Sequence, residues 1–206
     1  GAATSLYATP YGTHVGNPTP VLPAKVARGL QFDGVDDYVQ VGNQSELNFG
    51  TGSFSIDAWI RTPDTTGVKT IVDKRTNDTI NTRGYWFYLS NGNLGLQLAD
   101  GPFTNYNSTV FVANGQWNHI AVTVSRADPN GIRFYRNGVS VATNNPTTHM
   151  GSLDNTSPLR MGSRSAAVAT LFIGVLDEVE LFNRVLTPQE VVNIWRADSL
   201  GKCKPD

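Results

Sequence analysis

Asp33, Asp36 and Asp37 crowd into five positions near the start of the chain, and Asp177 with Glu178 follows much later. Calcium takes about six to eight hard oxygen ligands, mostly carboxylates and carbonyls, so acidic residues drawn from two chain segments could hold one. Asp-Gly and Asp-Asp are also turn formers whose carboxylates accept local backbone amides. The residues alone leave an ion site and a simple turn both open.

A second group suits the stacking and gripping of a sugar. In the run Tyr85-Trp86-Phe87-Tyr88, strand alternation puts Tyr85 and Phe87 on one face and Trp86 and Tyr88 on the other. One aromatic pair must therefore face away from a core, where a ring can stack on the apolar face of a sugar. Arg75, Arg83, Arg160 and Arg164 stand at strand ends beside long polar connections. Their guanidinium forks suit hydroxyls or the carboxylate of an acidic glycan, although surface arginines are more commonly solvated or paired. The candidate ligand set is Trp86, Tyr85, Arg75, Arg83 and Arg164. Trp59, Trp117, Phe54, Phe134 and Tyr135 sit on other strands, and Trp59 and Trp117 read as core packing.

Other chemistries find little support. His14 and His149 are isolated and lack zinc-ligand spacing, and no nucleophile motif accompanies His119. Cys203 is the single cysteine, so no internal disulfide is expected. A net charge of −1 without a basic run argues against nucleic acid, and no apolar stretch is long enough to insert in a membrane. The four Asn-x-Ser/Thr sequons, beginning at Asn43, Asn77, Asn107 and Asn155, would matter in a eukaryotic secretory pathway.

The elements that must position these groups are short strands. Period-two runs separated by Gly, Asn, Asp or Pro predict strands near residues 27–32, 38–41, 54–61, 70–74, 84–90, 93–98, 109–112, 117–125, 131–136, 139–143, 159–163 and 171–182. Asn91-Gly92 and Asn137-Gly138 predict type I′ hairpins. Residues 63–68, 76–83, 102–107, 144–155 and 164–170 read as loops. Thr187-Pro188-Gln189-Glu190 reads as a capping box opening one helix with an apolar stripe of Val191, Ile194 and Trp195. The expected organisation is an N-terminal extension over 1–24, one β-sandwich domain over 25–198 and a tail or linker over 199–206.

Five segments in order resemble the laminin-G-like branch of the concanavalin A-like lectin/glucanase superfamily. They are Leu30-Gln31-Phe32-Asp33-Gly34-Val35-Asp36-Asp37-Tyr38-Val39, Ser53-Phe54-Ser55-Ile56-Asp57-Ala58-Trp59-Ile60, Gly115-Gln116-Trp117-Asn118-His119-Ile120-Ala121-Val122, Ile132-Arg133-Phe134-Tyr135-Arg136-Asn137-Gly138 and Phe172-Ile173-Gly174-Val175-Leu176-Asp177-Glu178-Val179. The resemblance implies an all-β jelly-roll sandwich of two curved antiparallel sheets, here with one short C-terminal helix. It also implies a structural calcium near Asp33 and Asp177, joined by Asp36, Asp37 or Glu178.

Enzymes of that superfamily carry Glu-x-Asp-x-x-Glu on one strand, and the chain has no such spacing; Asp177-Glu178-Val179-Glu180 is misspaced. The expectation is a non-enzymatic, lectin-like module that is secreted or displayed at the cell surface. It would be a monomeric part of a multidomain chain, its partner an extracellular glycan or polysaccharide. The alternative is an adhesion or structural module that meets a surface protein.

Overall fold

The computed structural model describes residues 12–76 and 80–201, with the backbone of residues 4–5. Cys203 and the Asn77 sequon lie outside the described residues.

Fifteen strands are described: β1 (Thr4–Ser5), β2 (Gly12–Val15), β3 (Thr19–Val21), β4 (Gly29–Asp33), β5 (Tyr38–Val41), β6 (Phe54–Arg61), β7 (Val68–Arg75), β8 (Thr82–Ser90), β9 (Asn93–Gly101), β10 (Phe103–Phe111), β11 (Asn118–Val124), β12 (Ile132–Arg136), β13 (Val139–Asn144), β14 (Leu159–Met161) and β15 (Ile173–Phe182). The helix α1 spans Pro188–Ala197. One sheet runs β13-β12-β11-β6-β15-β4-β3, with β1 also paired to β15. The other runs β10-β9-β8-β7-β14-β5-β2. All pairings are antiparallel. The architecture is the expected all-β jelly-roll sandwich.

Alternation explains how one sequence serves both surfaces of each sheet. In β6, Phe54, Ile56, Ala58 and Ile60 enter the core between the sheets, while Ser55, Asp57 and Trp59 point outward. In β8, Tyr85, Phe87 and Leu89 join that core, which leaves Trp86 and Tyr88 on the outward surface. Both Asn-Gly hairpins form as the sequence predicts. Asn91 and Gly92 have φ of 48° and 78°, Asn137 and Gly138 have 51° and 78°, and only a type I′ turn asks for positive φ at both central residues.

The helix starts as its sequence dictates. Thr187 Oγ1 accepts from the Glu190 amide, the Glu190 side chain accepts from the Thr187 amide, and Pro188 occupies the first turn. Val191 and Ile194 seat it on Ala121, Tyr135, Phe182 and Leu186, covering the outward surface of the β1-containing sheet.

Two expectations need correction. Of residues 102–107 only Pro102 is a connection: residues 103–107 open β10, an edge strand whose outward residues Phe103, Asn105 and Asn107 are exposed while Tyr106 and Val110 face the core. A strand wet on one side and polar there shows too little apolar periodicity to be read. Residues 12–21, inside the stretch read as an extension, supply β2 and β3, each an edge strand.

Candidate functional site

The register of the β2-to-β10 sheet builds a transverse row on its outward surface. Gln40 lies opposite Arg160, Arg160 opposite Asp73, Asp73 opposite Trp86, Trp86 opposite Gln97, and Gln97 opposite Asn105. Paired residues share a face, so these side chains from six adjacent strands line up. A parallel row sets Thr70 opposite Tyr88, Tyr88 opposite Gly95, and Gly95 opposite Asn107.

Hydrogen bonds and rings tie the rows together. Arg75 grips Asp73 with two bonds, Nε to Oδ1 at 3.0 Å and Nη2 to Oδ2 at 2.7 Å, and its Nη1 donates to Gln97. Its guanidinium lies 4.0 Å from the Trp86 ring centroid. Gln97 donates onward to Asn105 at 2.7 Å, and Tyr88 donates to Asn107 at 2.7 Å. Trp86 Nε1 donates to Thr70 at 3.1 Å. The Trp86 and Tyr88 rings sit 4.4 Å apart. Gly95 makes room for this: a Cβ there would stand 2.4 Å from the Tyr88 ring. Burial pushes the Tyr88 hydroxyl up to about 12 against the opposing charge of Arg75, so it stays a neutral donor at ordinary pH. Burial likewise raises the Asp73 pKa, opposed by the Arg75 hydrogen bond and charge.

Two further arginines border the rows. Arg164, on the connection after β14, has its guanidinium 5.9 Å from Trp86. Arg160 lies 4.4 Å from the Tyr38 ring and donates to Gln40 at 2.9 Å and to the Arg164 carbonyl at 3.0 Å.

The sequence-predicted ligand residues therefore divide. Trp86, Arg75 and Arg164 meet on one surface. Tyr85 does not join them: it is 1 % exposed in the core, its ring 5.0 Å from Phe49 and 5.3 Å from Phe54, its hydroxyl donating to the Leu47 carbonyl. The strand period that turns Trp86 outward sends Tyr85 inward. Arg83 has the parity of Tyr85 and lies exposed at the start of β8, donating to the Ser152 carbonyl at 3.2 Å. Sequence reasoning missed Asp73 and Gln97. The Asn91-Gly92 turn held the signal, because a two-residue hairpin pairs Ser90 with Asn93 and hence Trp86 with Gln97.

The acidic residues divide too. Carboxylate oxygens of Asp33, Asp36 and Asp37 lie within 4.8 Å of one another at the β4–β5 turn. Asp37 Oδ1 accepts from the Asn17 amide at 2.7 Å and Oδ2 from the Asp33 amide at 2.9 Å, while Asp33 Oδ1 accepts from Val35. Asp177 is not brought to this group. Asp33 pairs with Ile173, and Asp177 lies four residues further along β15, roughly 13 Å away at strand rise. It faces Trp59 instead and accepts from the Val26 and Glu178 amides at 2.7 and 2.9 Å. Burial raises its pKa, and those hydrogen bonds oppose the rise.

The remaining candidates are structural. Trp59 is 3 % exposed, with Lys25 Nζ 4.2 Å above its ring. Trp117 is half-buried beneath Arg61. His119 is buried against Trp59, its Nε2 3.7 Å from Asp57. His149 is held by Asp100 at 2.7 Å and Thr104 at 2.8 Å. Among the described residues, no helix is long and apolar enough to cross a membrane.

Two packed antiparallel sheets, with one outward surface capped by a helix and the other bearing rings, amides and guanidinium groups, define a jelly-roll module. Residues 33–192 match the family described as the Concanavalin A-like lectin/glucanases superfamily, and the chain belongs to it. No curated protein matches the sequence. Among solved structures, the binding domain of Paraclostridial Mosquitocidal Protein 1 superposes with a TM-score of 0.74 at 18% identity, over 90% of this chain and 47% of that one. Domain 4 of AbnA, an extracellular arabinanase from Geobacillus stearothermophilus, solved in complex with arabinotriose, gives 0.66 at 19% identity, over 88% of this chain and 86% of that one. The binding domain of botulinum neurotoxin DC, in complex with rat synaptotagmin II, gives 0.66 at 16% identity, over 90% and 46%. The chain thus spans about half the length of the toxin domains. At these identities the likeness is one of fold.

Proposed function

We propose that the chain is a non-catalytic carbohydrate-binding module of a larger secreted or cell-surface protein, and that glycan docks on the Trp86 surface. The observation that carries this reading is the row itself: paired rings, amides already oriented by hydrogen bonds, and guanidinium groups, on a sheet face that no helix covers among the described residues. Its carboxylate, Asp73, is committed to Arg75, which suits binding better than the paired acid and base of a glycosidase. The arabinotriose complex of the AbnA domain supports a sugar partner on this fold.

A glycan array tests it. The expected result is saturable binding that Trp86→Ala weakens about tenfold or more, the equivalent of ~1.4 kcal/mol. Silence across the array, with folded protein, sinks the sugar reading. It would favour adhesion to a protein, for which Phe103 and Phe111, 50% and 40% exposed on edge strand β10, and the synaptotagmin complex of the neurotoxin domain speak.

Calcium is proposed at Asp33, Asp36 and Asp37, without Asp177. Carboxylate oxygens within 4.8 Å fit a single ion's ligand sphere, and the Asp33 and Asp37 oxygens that accept backbone amides keep a lone pair beyond that bond. Asp36→Asn is the informative variant, because Asp37 also anchors two backbone amides. Calcium at ~100 times its dissociation constant adds ~2.7 kcal/mol, or roughly 5–10 °C in Tm over chelator. A wild-type melting curve indifferent to calcium leaves the three residues as turn formers.

A further inference from the structure

We infer that the glycan recognised on the Trp86 surface is acidic, its carboxylate gripped by Arg164 with Arg160 beside it. This rests on the carbohydrate reading above and adds the chemical class of the sugar.

The argument is one of charge. The surface carries three guanidinium groups, Arg75, Arg160 and Arg164, against the carboxylate of Asp73. Asp73 is already saturated by the two-point contact of Arg75, a pair whose side chains are 5% and 1% exposed. Neither Arg160 nor Arg164 forms a salt bridge among the described residues, and Asp73, the carboxylate that the Arg164 charge reaches, is already held by Arg75. Both are half-buried, so water screens them less than it would a surface lysine. Arg160 spends Nε on Gln40 and one Nη on a carbonyl, both neutral acceptors. Arg164 spends less: its Nε is shut from solvent with no acceptor.

A partly desolvated cation with unused donors is costly to keep, and an anion is the complement that satisfies both its charge and its planar fork. A neutral oligosaccharide would need only the rings and the amides of Gln97, Asn105 and Asn107, and would leave this charge unmatched. Carboxylate fits best, because guanidinium meets it with two parallel bonds while the sugar ring lies against Trp86, 5.9 Å from the Arg164 guanidinium.

Calorimetric titration of the whole chain, with calcium present, tests the inference using trigalacturonate against its methyl ester, sialyllactose against lactose, and a sulfated galactose oligosaccharide against its unsulfated form. At least one carboxylated ligand is expected to bind tenfold or more tightly than its neutral counterpart, with affinity falling as salt rises. Arg164→Gln should shrink that ratio several-fold and Arg160→Gln less. Arg164→Lys, which keeps the charge and loses the fork, should fall between Gln and wild type. Equal affinity for acidic and neutral members, both weakened by Trp86→Ala, overturns the acidic assignment and leaves the carbohydrate reading standing. Preference confined to the sulfated ligand overturns the carboxylate fork. Failure of every sugar, neutral or charged, removes the carbohydrate reading and this inference with it.

Discussion

Each sheet turns a tryptophan outward beside charged groups, and the two surroundings are finished differently. Trp59 shares its surface with Asp57, His119 and Asp177, and Lys25 lies over its ring, while α1 seals the neighbouring Tyr135. Trp86, 9% exposed, shares its surface with Asp73, Gln97 and Tyr88 and lies against the guanidinium groups of Arg75 and Arg164. The 164–170 connection is tied to the same surface through Ser165 on Arg75 and Thr170 on Thr70. A helix fixed by its own cap and packed through Val191 does not come off a folded protein. Arg164, half-buried and in no salt bridge among the described residues, is free to swing as partly exposed side chains do within nanoseconds, whereas Arg75 stays clamped to Asp73. Similar residue types therefore lie under a helix on one sheet and beneath arginine side chains and a loop on the other, and the difference lies in what covers them.

The sharpest way to break this contrast is Trp59→Ala. Deleting a tryptophan that is 3 % exposed is expected to cost ~3–5 kcal/mol and about 10 °C in Tm, while the folded fraction keeps its glycan affinity. A loss of affinity without loss of stability would move the binding surface to the helix side. The next effect in size comes from Asp73→Asn. It leaves the Arg75 guanidinium buried with one neutral acceptor in place of a carboxylate, so ~2–3 kcal/mol is expected from denaturant unfolding, short of the ~3–5 for losing a buried partner outright. Here affinity should fall as well, because Arg75 positions both Trp86 and Gln97. Stability and binding moving together distinguishes this surface from the other.

How far the sequence foresaw these surfaces depended on whether the signal was local. Asn91-Gly92, Asn137-Gly138 and Thr187-Pro188-Gln189-Glu190 act within a few residues, and each formed as written. The choice of which face of Tyr85-Trp86-Phe87-Tyr88 meets the core is not local, since both faces are aromatic and only the partner sheet decides. Asp177 shows the same limit: the sheet register that sets it opposite Trp59 rather than near Asp33 joins residues more than a hundred positions apart. β10 escaped for another reason. Its outward side is Phe103, Asn105 and Asn107, a mixture shaped by exposure rather than by packing.

The smallest effect concerns how firmly the helical lid is tied down. Arg184 meets Glu190 with two bonds, at 2.9 and 2.7 Å, and with the Thr187 amide these hold the Glu190 carboxyl down at about 2, from a usual value of 4.5. A depressed carboxylate contributes stability that is present above its unfolded pKa and is lost as pH falls from about 4.5 toward 2. Both side chains are more than a third exposed, so solvent screening limits the contribution to ~0.3–1 kcal/mol. Glu190→Gln separates charge from cap, because glutamine still completes a capping box. The variant is expected to melt ~1–3 °C below wild type at neutral pH, with the gap closing as pH falls through that window and shrinking in high salt. A gap that persists at the acid end would assign the loss to the cap geometry and leave the lid held by Val191 and Ile194 alone.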